Sequence, residues 1–304
     1  MFKPSAKFWM DGKIIPRKEA NISVMAHSLH YGDGIFEGIK VYKCIDGRSA
    51  IFRLGTHTHR LFYSASAIAL KIPFSKMEID QAIIDTVKAN GLEEGYIRPL
   101  IILGEGDIGP CPHNNPVHVV IIVGEWGHYF AQETISVKIS SWRRDCRVMP
   151  FSAKVTGNYV NAGLAKREAE LLGFNDAIIL DEWEYATEVS AANIFIVKDG
   201  VLMTPSVIQP ILRGVTRDSI IRLARDMGIS AREDAFINLN LLYAADEAFT
   251  AGTAAEITPI KEVEGSLIGK VCPGPIALKL KEMYLKAARG EIPQYQKEWL
   301  TYVE

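Results

Sequence analysis

Three of the four Asp-Gly dipeptides, Asp11-Gly12, Asp46-Gly47 and Asp199-Gly200, each stand between short runs rich in β-branched and aromatic residues, and they constrain the fold more than any other local feature. Both residue types tolerate the left-handed backbone that a tight hairpin turn demands, so each dipeptide predicts a pair of antiparallel strands. Residues 7–10 lead into the first turn, 38–42 and 50–52 flank the second, and 193–197 and 201–203 flank the third.

Helical patterns run between these strands. Thr56 is placed to cap a helix carrying Leu61, Ala65 and Ile68 on one face, and Ser75 with Glu78 forms a capping box ahead of Ile79, Ile83 and Val87, with Gly91 as the stop. Residues 96–103 and 117–123 read as buried strands, and Pro99, which lacks an N–H, predicts an edge or a bulge. Residues 104–116, rich in Gly, Pro and Asn, make a loop long enough to act as a functional cover. The expected organisation is a first domain over residues 1–124, a polar linker over 125–135 and a second domain over 136–304. Within the second, a helix over 158–172 is expected to bury Val160, Leu164 and Leu171. A strand follows at 177–180, then a helix from Thr216 burying Ile220, Leu223 and Met227, a strand at 247–250 and a turn at Gly252-Thr253.

With 304 residues, 48% hydrophobic and 23% charged, the chain can build a substantial core in about two domains. A net charge of -2, a pI near 6.4 and dispersed Lys and Arg predict no nucleic-acid partner. Residues 1–16 hold no apolar export core, and no run approaches the roughly 18 apolar residues of a membrane span, so neither export nor membrane insertion is expected. Cys44, Cys111, Cys146 and Cys272 form no C-x-x-C pair or zinc spacing, which predicts reduced thiols in the cytoplasm. His57 with His59, and His27 with His30, lack further ligands in register, so no metal site is expected.

The chemistry lies in an ordered set: Lys154, Tyr159, Glu188, Asn193, Thr204 and the run 212–217. An amine can condense with an aldehyde, a phenol can hydrogen-bond a ring oxygen, a carboxylate can keep a pyridine nitrogen protonated, and a Gly-Val-Thr helix start can cradle a phosphate. Those are the needs of pyridoxal 5'-phosphate, and they imply carbanion chemistry on an amino acid. Lys154 sits among small and apolar neighbours, Phe151-Ser152-Ala153 and Val155, that favour the uncharged, nucleophilic amine, and it can also serve as the base that shuttles a proton. Gly214-Val215-Thr216 offers backbone N–H groups at a helix start, Gly252-Thr253-Ala254-Ala255 offers a second turn with a hydroxyl, and Arg60 can supply the countercharge.

These motifs resemble the class IV, or fold-type IV, pyridoxal-phosphate aminotransferases, and within them the branched-chain amino-acid aminotransferases. The likeness spans essentially the whole chain and rests on Glu188-x-Ser190-x-x-Asn193-Ile194-Phe195, Leu202-x-Thr204 and Leu212-x-Gly214-Val215-x-Arg217. It implies an α+β chain of two domains: a smaller N-terminal α/β sandwich and a larger C-terminal mixed-sheet, barrel-like domain. Lys154 is then the catalytic lysine, Tyr159 the partner of the cofactor's ring oxygen and Glu188 that of its ring nitrogen. Arg60, Val215, Thr216 and Thr253 bind the phosphate, and Leu212 joins the cofactor contacts. His30-Tyr31-Gly32, Phe36-Glu37-Gly38-x-Lys40 and Tyr96-x-Arg98-Pro99 resemble the substrate motifs of the branched-chain subgroup. The resemblance places Tyr31, Phe36, Lys40, Tyr96, Arg98, Trp126, Tyr129 and Ala254 at the substrate, with Tyr31 and the 104–116 loop reaching a neighbouring subunit. The implied reaction moves the amino group of L-leucine, L-isoleucine or L-valine to 2-oxoglutarate by a ping-pong mechanism, in a homodimer or larger homo-oligomer. A D-amino-acid or amine aminotransferase of the same fold, or an aminodeoxychorismate lyase, is the alternative. Residues 106–113 depart from the Gly-Met-Gly-rich loop usual in this subgroup, which leaves the ranking of substrates open.

Overall fold

The structure is a computed structural model that describes residue 3 and residues 6–127 and 129–303. Packing divides them into two units. The first comprises the chain up to Gly127, Ala153–Gly157 and the chain from Lys286 onward; the second comprises 129–152 and Asn158–Leu285. The first unit therefore draws on three separate stretches where the sequence predicts one, because distant strand pairings recruit the other two.

The elements of the first unit run β1 (Lys7–Met10), β2 (Lys13–Pro16), α1 (His27–Tyr31), β3 (Ile35–Phe36), β4 (Ile39–Lys43), β5 (Ser49–Phe52), α2 (Leu54–Ala67), α3 (Lys76–Ala89), β6 (Gly95–Leu103) and β7 (Val117–Gly124). They form one antiparallel sheet, ordered β5-β4-β6-β7-β1-β2, with the late strand Leu300–Tyr302 added beside β5 and β3 beside β6. Asp11 and Gly12 both take positive φ (47° and 95°), giving the two-residue turn that brings Met10 opposite Lys13. Asp46-Gly47 instead lies in a longer connection, in which Cys44 N–H donates to the Arg48 carbonyl at 2.8 Å. The capping box of α3 forms as expected: Glu78 N–H donates to Ser75 Oγ at 3.3 Å, and Ser75 N–H to Glu78 Oε2 at 2.7 Å. Helix α2 begins before Thr56, at Leu54, after a left-handed Arg53. A continuous core joins Leu61, Ala65, Ile79, Ile83 and Val87 to Ile39, Val41, Ile51, Ile97, Ile101, Val119 and Ile121. Each fully buried aliphatic side chain there contributes about 1.5–3 kcal/mol over exposure.

Pro99 is at no edge. Strand β6 is flanked along its length by β7 on one side and by β3 and β4 on the other, and the gap between those two short strands falls at Glu37-Gly38, opposite Pro99. Glu37 N–H donates to the Pro99 carbonyl at 2.9 Å, while Pro99 has no N–H to return. The missing donor interrupts the neighbouring strand instead of ending the sheet.

The second unit contains β8 (Ile135–Arg144), α4 (Asn158–Leu171), β9 (Asp176–Asp181), β10 (Ala186–Val189), β11 (Asn193–Lys198), β12 (Val201–Pro205), α5 (Val215–Asp226), β13 (Ala231–Ala235), α6 (Leu239–Tyr243), β14 (Glu247–Gly252), β15 (Glu256–Val263) and β16 (Ser266–Leu267). Strands β10-β9-β8-β15-β14-β11 follow one another, and β11 returns to β10, closing a six-stranded barrel of mixed strand direction. The seam is one residue pair, Glu188 opposite Asn193; further along, β11 leaves β10 and pairs with β12 through a two-residue turn at Asp199-Gly200. Closure removes the free edges an open sheet would leave. Helix α4 corrects the expected face: Val160, Leu164 and Leu171 are exposed, and Ala162, Ala165 and Ala169 are buried. Ala165 and Ala169 pack with Ala177 and Ile179 of β9, where small side chains allow a close helix approach that larger ones would block.

Candidate active site

Lys154 belongs to the first unit through backbone bonds to β3. Its carbonyl accepts from Phe36 N–H at 3.1 Å, Val155 bridges Ile35, and Thr156 N–H donates to the Gly34 carbonyl at 2.8 Å. Ser64 of α2 receives the Lys154 N–H at 2.9 Å, and the Lys154 Nζ lies 4.8 Å from the centre of the Phe36 ring. The lysine therefore stands in an extended segment pinned to a sheet.

The Phe36 ring also faces the Arg98 guanidinium at 4.7 Å, and Arg98 donates to the Tyr96 hydroxyl at 3.1 Å. Tyr96 packs against Trp126 with centroids 4.6 Å apart. Gly38 makes this possible, since a Cβ there would collide with the Tyr96 hydroxyl. Arg98 Nε is buried without a hydrogen-bond partner, and no carboxylate among the described residues pairs with Arg98. Lys40 is buried opposite Tyr96, with its ammonium 5.2 Å from the Tyr42 ring. Tyr31, half exposed, donates to the Ile108 carbonyl at 2.7 Å, and His27 holds Asp33 through Nδ1 at 2.6 Å and the Gly109 carbonyl through Nε2 at 2.7 Å. Asn115 and Asp107 brace the same loop from inside.

Arg60 lies on α2 one turn after His57, and both meet Glu37 in the β3–β4 gap. Arg60 Nε donates to Glu37 Oε1 at 2.7 Å and its Nη2 to Oε2 at 2.8 Å, and His57 Nδ1 is 2.8 Å from Oε2. Burial by itself would raise the Glu37 pKa, but the charge and hydrogen bonds of Arg60, aided by His57, outweigh it and hold this carboxyl far below the usual range. His57 is pulled down by burial against the opposing pull of Glu37, so the neutral ring donates through Nδ1 to the carboxylate.

In the second unit Glu188 lies at the barrel seam, nearly buried. It pairs with Arg144 at the end of β8 and accepts from Asn193 Nδ2 at 2.9 Å and from Leu212 N–H at 3.2 Å. Asn193 Nδ2 also donates to the Leu212 carbonyl at 2.9 Å. A Cβ at Gly214 would strike Asn193 Oδ1, so glycine lets the 212–214 segment pass the seam and start α5 at Val215. No side chain caps that start, and Val215 and Thr216 are buried there, so their N–H groups form a cradle suited to an anion. Arg217 donates to the Pro205 and Glu233 carbonyls, both at 2.9 Å, tying α5 to β12 and β13. Thr253 and Ala254 occupy the β14–β15 turn, half-buried, and Tyr159 lies in the first turn of α4. Tyr129 packs edge-on against Phe130, and its phenol is pushed up to about 12, chiefly by burial and then by Asp176.

The sequence places Glu37 inside a substrate motif without a role of its own and gives Arg144 none. No local pattern singles out Arg144, whose pairing depends on strand register between β8 and the seam. The first unit offers an amine over an aromatic ring and an arginine fixed by a carboxylate, and the second offers a carboxylate paired with an arginine and an uncapped helix start, donor types that each suit a part of pyridoxal phosphate.

The Amino-transferase class IV family model matches residues 34–263. The branched-chain-amino-acid aminotransferase of Pseudomonas aeruginosa is 41% identical over 97% of each chain, and that of Escherichia coli K12 is 37% identical over 95% of each. Among solved structures, the Thermoproteus uzoniensis branched-chain aminotransferase with norvaline superposes with a TM-score of 0.94 at 40% identity, covering 99% of this chain and 100% of that one. A T.th. branched-chain amino acid aminotransferase with pyridoxamine 5'-phosphate gives 0.93 at 42% identity, covering 99% of each chain. The chain belongs to the class IV aminotransferases, with the fold-type IV architecture.

Proposed function

We propose that this enzyme transfers the amino group of L-leucine, L-isoleucine or L-valine to 2-oxoglutarate by a ping-pong mechanism with pyridoxal 5'-phosphate. The names of the relatives support the branched-chain donor. The observation that carries the reading in this chain is Arg98, a guanidinium stacked on Phe36 beside Tyr96 with a buried, unpartnered Nε. Such a group suits a carboxylate ligand, while the aromatic rings around it suit an aliphatic side chain. Phe36, Tyr96, Trp126, Lys40, Tyr31, Tyr129 and Ala254 are the proposed substrate contacts. An apolar wall separates side chains differing by one methylene only about 10–200-fold, so all three donors are accepted.

When bound, pyridoxal phosphate supplies an aldehyde for amines and a ring that takes up the electron pair of a broken C–H bond. Lys154 would hold the cofactor through its amine and, once released by the substrate, serve as the base that takes up the proton of the substrate α-carbon. Tyr159 donates to the ring oxygen. Glu188, paired with Arg144, would accept a hydrogen bond from the ring nitrogen. Leu212 would contact the ring, and Arg60, the Val215 and Thr216 amides and the Thr216 and Thr253 hydroxyls are the groups that would take the phosphate. We assign the enzyme to the cytoplasm and to a homodimer or larger homo-oligomer by analogy with the family. Among the described residues no helix is long and apolar enough to cross a membrane.

Spectra of the purified holoenzyme mixed with single amino acids test the assignment. L-leucine, L-isoleucine, L-valine and L-glutamate should each bleach the aldehyde-form absorbance; a response only to D-alanine or a simple primary amine overturns the substrate reading.

A further inference from the structure

Glu37 is fully buried and makes three side-chain contacts with α2, two from Arg60 and one from His57. A buried carboxylate is costly unless charged donors match it, and here a guanidinium grips both oxygens in parallel. The grip lies along the Nε–Nη2 edge, so it fixes the guanidinium plane and aims the opposite edge, which would otherwise swing on a flexible stem. His57, on the same face of α2, holds Oε2 from the side, and Gly38 N–H donates to that oxygen at 3.1 Å. The carboxylate itself is placed by the sheet, because the Pro99 gap lets the chain turn Glu37 inward between β3 and β4. The same β3 segment holds Lys154 through Phe36 and Ile35.

We propose that Glu37 is a positioning residue that fixes Arg60 for the cofactor's phosphate and sets how strongly the enzyme prefers pyridoxal phosphate over unphosphorylated pyridoxal. The inference rests on the reading of Arg60 as a phosphate ligand. Glu37→Gln keeps the shape but turns an amide N–H₂ toward the guanidinium, which frees the plane of Arg60 and leaves pyridine-ring recognition untouched.

Equilibrium titration of the full-length apoprotein with pyridoxal phosphate and, separately, with pyridoxal tests this through the ratio of the two dissociation constants. Glu37→Gln should lower the preference for the phosphorylated form about tenfold, the worth of one charge-assisted hydrogen bond, with pyridoxal affinity unchanged within about twofold. Glu37→Asp, which keeps the charge at shorter reach, should recover part of the preference; if Glu37→Gln does not fold, Glu37→Asp carries the test by the same criterion. Equal weakening of both ligands, or an unchanged ratio, means that Glu37 only supports the fold and overturns the proposal. Arg60→Met separates the two claims. If it leaves the preference intact, the assignment of Arg60 to the phosphate fails; if it abolishes the preference while Glu37→Gln does not, positioning alone fails.

Discussion

Two buried carboxylate–guanidinium pairs, one in each unit, use the same chemistry in opposite senses. In the first unit Glu37 is closed off by Arg60, His57 and a backbone amide, and in the proposed reading the carboxylate is the support and the arginine the group presented to a ligand. In the second, the proposed roles are reversed, with Glu188 as the working group: the carboxylate is steadied by Arg144, Asn193 and Leu212 at a barrel seam. The contrast shows that an ion pair does not disclose which partner is functional. The proposed roles follow which of the two the fold surrounds more completely. Glu37 is sealed at a gap in a sheet, whereas Glu188 sits where two strands meet for a single residue pair.

The contrast can be broken by removing one partner at a time. Arg144→Met removes the ion-pair partner of Glu188 in a nearly buried site, and should lower the unfolding free energy by about 3–5 kcal/mol in urea titration of the apoprotein. A change below about 1 kcal/mol would mean that Arg144 is no support. Glu188→Gln spares the fold better and should cut kcat about 10²–10³-fold, the usual cost of one preorganised electrostatic partner. A variant within about threefold of wild type would remove Glu188 from the working role. Arg98→Met should reduce kcat/KM for L-glutamate about 10–100-fold, the worth of hydrogen bonds between charged groups, with a much smaller loss for L-leucine. Equal losses would show that Arg98 does not bind the side-chain carboxylate that L-glutamate has and L-leucine lacks.

The smallest effect is a pH dependence confined to the first pair. The folded-state pKa of Glu37 lies below the unfolded value, so its stabilisation is full above about pH 5 and is lost as pH falls through and below about 4.3. His57, also pulled down on folding, acts in the same direction from about pH 6.5 downward. The stability gap between wild type and Glu37→Gln should therefore be flat near neutrality and narrow in acid. A gap that widens on acidification would contradict the charge state assigned to Glu37.

Local chemistry is legible in the sequence where neighbours along the chain settle it. Asp11-Gly12 and Asp199-Gly200 make the tight turns expected, and the Ser75–Glu78 box starts α3, because each depends on a few adjacent residues. Asp46-Gly47 shows the limit, since the same dipeptide sits in a longer loop once Cys44 and Arg48 pair. The buried face of α4 is not legible, because its large apolar residues suggest burial while the barrel selects alanines for close approach. Pro99 announces a missing donor but not its place, because the consequence falls on the partner strand and not at an edge. The motif residues of the site carry their own chemical logic, so Lys154, Glu188 and the Gly214 helix start can be proposed from the sequence. Arg144 and the function of Glu37 cannot, since each depends on long-range register that no spacing along the chain encodes.

The most direct measurement of the central claim is reductive trapping of the purified holoenzyme with borohydride, followed by peptide mapping. The account predicts a single pyridoxyl label on the Lys154 side chain, absent from Lys154→Ala. A label on another lysine, or none at all, would contradict it.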